Sequence, residues 1–213
     1  MIRQLFLSLA WLGLGFTAAA EAAGDEALYD PAPPPNSAFV RVIDARGQGN
    51  LQVTVGQAGI TVPATGVSAY VVVPAGEQDV VLSTETSKIT FAAGKYYTIA
   101  LYVGGNTKPT LLEDEILTNP AKSGIYVYNF SDAPSVKLFA PKPKVAVVDD
   151  LKPGLSAFKS VNAVTVDLAL MEGDKTLADF SQLALKRRTG LTFVVFGSGD
   201  AKKAIAVPNA TTK

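Results

Sequence analysis

The chain has 213 residues, 19 Lys and Arg against 19 Asp and Glu, and neither histidine nor cysteine. Without cysteine there is no disulfide, thiolate metal site or cysteine nucleophile. Without histidine, the usual general base near neutral pH and the commonest transition-metal ligand are missing. The balanced charge, with no basic stripe, excludes the electrostatic footprint of a nucleic-acid binder.

The N-terminus reads as an export signal. Arg3 is the only charge before Glu21, and an apolar run from Leu5 to Phe16 follows it. That run is too short to span a bilayer, and Ala18-Ala19-Ala20 and Ala20-Glu21-Ala22 offer small residues for a signal peptidase. Residues 1–22 are therefore expected to be a cleaved secretory signal and the mature chain to be periplasmic. No Cys follows the run, so a lipid anchor is not expected. Residues 23–37 form a Pro-rich arm, in which Pro31, Pro33, Pro34 and Pro35 lack amide donors and favour an extended tether.

Short segments rich in Val, Ile, Thr, Tyr and Phe then recur, with strands expected at 39–44, 51–55, 69–73, 79–83, 88–91 and 96–103. Turn signals such as Gly47-Gln48-Gly49-Asn50 and Pro74-Ala75-Gly76 separate them. Residues 104–123 break the rhythm with Gly-Gly, two prolines and Glu113-Asp114-Glu115, and read as a linker with one short strand near 110–112. The pattern restarts at 125–130, 135–139, 145–148, 157–160, 165–171, 182–187 and 191–196, with a hairpin turn at Glu172-Gly173-Asp174-Lys175.

The restart looks like a repeat. Gly66-Val67-Ser68-Ala69-Tyr70 matches Gly154-Leu155-Ser156-Ala157-Phe158. Arg41-Val42-Ile43-Asp44 can be laid on Tyr126-Val127-Tyr128-Asn129, and Gly94 to Thr98 on Arg188 to Thr192. The expected fold is all-β: two tandem small antiparallel β-sandwich domains, at 38–103 and 124–199, joined by the linker and followed by a tail at 200–213.

No convincing catalytic constellation emerges. Ser156-Ala157-Phe158-Lys159 fits a bare Ser-x-x-Lys pattern, but its repeat partner Ser68 to Val71 has no lysine. The acid clusters Glu113-Asp114-Glu115 and Asp149-Asp150 match no calcium loop and read as solvated boundary segments. Gly197-Ser198-Gly199-Asp200 lacks the Lys-Ser/Thr of a phosphate loop and reads as a fraying end. The sequons at Asn129 and Asn209 occur at chance frequency. No metal or cofactor is expected. Tyr96 and Tyr97 must point to opposite faces of one strand, and Tyr126 and Tyr128 to the same face. With Arg41 and Lys95 they are the candidates for binding a partner or polymer.

Several motifs in order carry a family resemblance. Glu26-Ala27-Leu28-Tyr29-Asp30-Pro31, Ser37-Ala38-Phe39-Val40-Arg41-Val42, Lys95-Tyr96-Tyr97-Thr98 and the Gly173 to Asp179 turn resemble the AlgF family of alginate O-acetylation accessory proteins. The resemblance runs from about Glu26 to Gly199, and departures fall in the loops and linker. It implies a periplasmic protein working with a membrane-bound acyltransferase and an exported, serine-nucleophile acetyltransferase that modifies mannuronate residues. A histidine-free chain suits a non-catalytic adaptor in such a system, holding the acetyltransferase, the alginate polymer or both. A stand-alone carbohydrate-binding module and a structural or chaperone-like envelope β-protein are the alternatives.

Overall fold

The structure is a computed structural model that describes residues 33–103 and 108–212. The expected signal and most of the Pro-rich arm lie outside the described residues. Eight strands come first: β1 (Ser37–Asp44), β2 (Leu51–Val55), β3 (Ala58–Val62), β4 (Tyr70–Pro74), β5 (Gly76–Leu82), β6 (Glu85–Phe91), β7 (Tyr96–Leu101) and β8 (Thr110–Asp114). Eight equivalents follow: β9 (Lys122–Ser131), β10 (Val136–Ala140), β11 (Val145–Leu151), β12 (Ser156–Asn162), β13 (Thr165–Glu172), β14 (Lys175–Ala184), β15 (Gly190–Gly197) and β16 (Lys203–Pro208). A two-residue β17 (Thr211–Thr212) closes the chain.

The two halves share one topology. In the first, an inner sheet ordered β17-β4-β1-β7-β8 faces an outer sheet ordered β3-β2-β5-β6. In the second, β12-β9-β15-β16 faces β11-β10-β13-β14. Register makes the repeat literal, because Arg41 lies opposite Thr98 and Tyr126 opposite Thr192. These are the columns that the sequence alignment had superposed.

Strand alternation assigns the cores. Val40, Val42, Tyr97 and Ile99 point toward the first outer sheet and bury with Val53, Ile60 and Phe91. Ile125, Val127, Phe193 and Val195 do the same toward Leu138, Leu168 and Leu170. The opposite faces of the two inner sheets meet in a third core of Ile43, Ala100, Tyr126, Tyr128, Phe130, Val194 and Phe196. Strands β1, β9 and β15 are thus covered on both faces, which accounts for their nearly unbroken burial. Each such side chain removed from water contributes roughly 1.5–3 kcal/mol.

Several expectations need correction. The sheets are not purely antiparallel: β1 and β7 run parallel, as do β9 and β15 and β17 and β4. Each chain segment visits the opposing sheet before returning, and side-chain pattern carries no record of strand direction. Residues 110–114 are a full edge strand of the first inner sheet, extending that sandwich into the expected linker. The expected tail holds β16 and β17, and the Gly197 to Asp200 segment is an ordered turn. Asp132 fastens it by accepting from the Gly199 amide at 2.9 Å and pairing with Lys202 at 3.0 Å. Strand β3, after a tight Gly56-Gln57 turn, was not anticipated. Strand β14 starts earlier than expected because a bulge beside Gln182, with φ of 53°, interrupts its alternation.

The Gly47 to Asn50 turn joins β1 to β2 as its residues suggested. The buried Asp44 carboxylate accepts from the Arg46 and Gly49 amides, and Gly49 takes φ of 62°. A Cβ on Gly49 would stand 1.9 Å from the Pro63 carbonyl oxygen. Gly49→Ala is therefore expected to lower stability by at least about 2 kcal/mol, from left-handed strain plus a backbone clash. Urea-unfolding midpoints for wild type and variant measure it.

Candidate functional site

A charge is buried where the two inner sheets meet. Arg41 projects from the face of β1 opposite Val40 and Val42, as its strand position required, but that face meets the second sandwich rather than solvent. Its side chain is 1% exposed. Taking a guanidinium out of water costs several kcal/mol unless its donors are satisfied and a counter-charge is near. Both conditions are met. Nε donates to Thr98 Oγ1 at 2.9 Å, Nη2 to the Tyr128 hydroxyl at 2.7 Å, and Nη1 to Thr192 Oγ1 at 2.7 Å and Asn209 Oδ1 at 3.3 Å.

Asp114, at the end of β8, supplies the counter-charge 3.9 Å from Arg41 Nε. Its carboxylate also accepts from Tyr70 at 2.8 Å, Thr98 at 2.6 Å and the Tyr128 hydroxyl. The guanidinium lies over the rings of Tyr70, Tyr126 and Tyr128, at 4.6, 5.8 and 5.2 Å. Thr192 donates to Asn209 at 2.5 Å, and Tyr126 to the Glu115 carbonyl at 3.0 Å. Among the described residues no buried side-chain polar atom lacks a partner.

Electrostatics follow the geometry. Burial acts to lower the Arg41 pKa but is outweighed by Tyr128, Tyr70 and Asp114, so the guanidinium is held charged more firmly than usual. Burial pushes the Tyr126 hydroxyl up to about 12, with the Asp114 charge acting the same way. Burial also raises Tyr70 and Tyr128, against the opposing pull of Arg41.

The expected site residues separate into two groups. Arg41, Tyr128 and Tyr97 are buried and cannot meet a partner directly. Tyr97 packs on Phe91 in the first core, and its hydroxyl accepts from the Ala92 amide at 3.1 Å. Tyr96 points the other way, as alternation required, and stacks on Phe39 with centroids 4.2 Å apart. It lines a cleft of about 440 Å³ between the sandwiches, together with Tyr126 and residues 116–120, 188–190 and 209–211. Lys95 is exposed and pairs with Glu113 at 2.7 Å.

Sequence reasoning missed Asp114, Thr98, Tyr70, Thr192 and Asn209. Asp114 belongs to an acidic run that reads as solvated, yet it is 5% exposed. The available signal was an arginine inside a strand otherwise free of charge until its end. Among the described residues no group of three or more acidic side chains could hold a metal.

Fold and site together define a tandem β-sandwich protein whose polar centre joins its halves. The chain belongs to the AlgF family of alginate biosynthesis and O-acetylation proteins. The family model described as Alginate O-acetyl transferase AlgF matches residues 11–192. Alginate biosynthesis protein AlgF of Pseudomonas syringae pv. tomato is 32% identical over 196 residues, covering 92% of this chain and 86% of that one. Its counterpart in Pseudomonas aeruginosa is 32% identical over 189 residues, covering 88% and 86%. A solved structure of the C-terminal domain of AlgF from P. aeruginosa aligns with 42% of this chain and 99% of its own, at 29% identity and a TM-score of 0.38.

Removing the charge should loosen the junction. Arg41→Ala strands Asp114 beside emptied space, and a loss of about 3–5 kcal/mol is expected in chemical denaturation. Alkaline pH should act on the tyrosines. Their folded-state pKa values lie above the unfolded value, so the folded chain holds protons that the unfolded chain releases. Their contribution to stability is complete below about pH 10 and falls as pH rises toward 12 and beyond. Urea midpoints at pH 8, 10 and 11 are expected to decline only above pH 10.

Proposed function

We propose that this protein is a non-catalytic periplasmic adaptor for alginate O-acetylation that holds the exported acetyltransferase of the system. The observation that carries this reading is where the chain spends its polar side chains. Among the described residues an extensive cluster of ionisable and hydroxyl groups, centred on Arg41 and Asp114, is buried and bonded to itself. It fixes one sandwich against the other and turns no nucleophile or base toward solvent.

Ser156 offers no way out. It opens β12, and Lys159 lies three residues along that strand, so their side chains leave opposite faces. A lysine on the far face cannot take the serine proton. The composition already withholds histidine and cysteine. The word transferase in the family description therefore fits the system better than this chain.

An adaptor works by raising the effective concentration of its partners, which requires docking surfaces in a defined relation. Two sandwiches joined through a common core supply that relation.

Deleting the gene is expected to leave alginate secreted but without acetyl groups, read by proton NMR of the polymer. Normal acetyl content in the deletion strain would sink the adaptor reading. Purified protein should show no turnover of acetyl-donor esters, and turnover abolished by Ser156→Ala would falsify the absence of catalysis. Fractionation should recover the chain in the periplasm, with an N-terminus near residue 23.

A further inference from the structure

We infer that the cleft between the sandwiches is the docking site for a partner protein, and that it takes an apolar side chain flanked by carboxylates. This rests on the adaptor reading and names the surface and the chemistry it leaves open. Three features converge there.

The floor is rigid. Tyr70, Tyr126 and Asn209 line the cleft from below while belonging to the Arg41 network, so their rotamers are fixed before any partner arrives. One wall carries apolar groups. Ile116, Leu117 and Pro120 come from the crossing between β8 and β9, interleaved with Thr118 and Asn119, and Ile116 is 44% exposed. Opposite features include the Tyr96 ring, held by its stack on Phe39. An exposed isoleucine and a fixed aromatic ring lining the same cleft gain most by covering an apolar group.

The lining carries a cation. Arg188 lines the cleft, Lys186 and Arg187 precede it in the same exposed turn, and among the described residues none of the three forms an ion pair. The balance of 19 against 19 over the whole chain hides this local excess. The turn is preformed: the Arg188 amide donates to the Lys122 carbonyl at 2.9 Å, and Thr189 Oγ1 to the Lys186 carbonyl at 2.9 Å. Arg188 itself sits at φ of 59°, a left-handed conformation that costs a non-glycine residue about 1 kcal/mol or more.

The lining decides between a protein and a polyuronate. A polyuronate bears a carboxylate on every ring and hydroxyls all around it, and would want cations spaced along a track. Among the described lining residues Arg188 alone is charged, so there is no such track; Ile116, Leu117, Pro120 and Ala210 share the lining with Thr118, Asn119, Thr189 and Thr211. An apolar anchor with an acidic flank matches that layout, the anchor giving affinity and the charges orientation.

The experiment measures binding of the purified exported acetyltransferase to the full-length protein by biolayer interferometry. Variants are Ile116→Asp, Arg188→Glu, Arg188→Lys and, as an exposed control on β16, Lys203→Glu. Unchanged thermal midpoints establish that each is folded. Expected are losses of at least tenfold for Ile116→Asp and Arg188→Glu, near-full retention for Arg188→Lys, and less than a twofold change for Lys203→Glu. Salt dependence should weaken in Arg188→Glu. Wild-type affinity in both cleft variants overturns the cleft assignment while leaving the adaptor reading standing. No binding by the wild type overturns both. Oligomannuronate binding that disappears in Arg188→Glu, without binding to the protein probe, overturns the protein partner in favour of the polymer.

Discussion

A buried guanidinium sets the terms for this molecule. Arg41 sits on a central strand with both faces covered, and a charge there persists only if every neighbour cooperates. Its partners come from β7, β8, β9, β15 and the segment between β16 and β17. Satisfying one side chain therefore fixes the two inner sheets relative to each other. The packing of Ile43, Phe130, Val194 and Phe196 around it is non-directional, so the hydrogen-bonded network selects which packed arrangement is kept. Buried ionic groups acting in this way have precedent in proteins where they set register rather than add stability.

The same network shapes the surface. Strand β8 carries Asp114 into the junction, so the chain must leave at Glu115 and cross to β9 along the outside. That crossing places residues 116–120 over the cleft. At the other end, Asn209 accepts from Arg41, and the next residues pair with β4 of the first sandwich. The C-terminus is thereby strapped across both halves. A recess with a fixed floor results from stabilising the interior charge, and an adaptor benefits because docking there orders few new side chains.

The repeat explains how such a junction arises from two copies of one architecture. Arg41 and Tyr126 occupy equivalent positions on β1 and β9, as do Thr98 and Thr192 on β7 and β15. Packing like faces against each other brings these columns together near the centre. One copy offers a cation and the other an aromatic ring to receive it. Identical residues at those positions would give two facing charges or two rings with no charge to hold. The asymmetry between the copies makes the interface specific.

Much of the local structure was legible from residue order. Period-two alternation put Tyr96 and Tyr97 on opposite faces, set Tyr126 and Tyr128 on one face, and put Arg41 opposite Val40 and Val42. Positive-φ turn chemistry marked Gly47 to Asn50 and Gly173, and the repeat columns were aligned correctly. What lies beyond a strand face is not encoded locally. Alternation says that Arg41 leaves the first core but not whether water or a second sandwich waits there, so it was grouped with surface residues. Strand direction, the burial of Asp114 within an acidic triplet and the return of the tail to β4 are likewise long-range facts. They depend on which segments meet after the chain folds, where desolvating one charge forces distant hydroxyls and a carboxylate to gather around it. Sequence alone determined most of the strands and the faces of their side chains; tertiary structure decided what those faces touch, because desolvation is a property of the assembled neighbourhood.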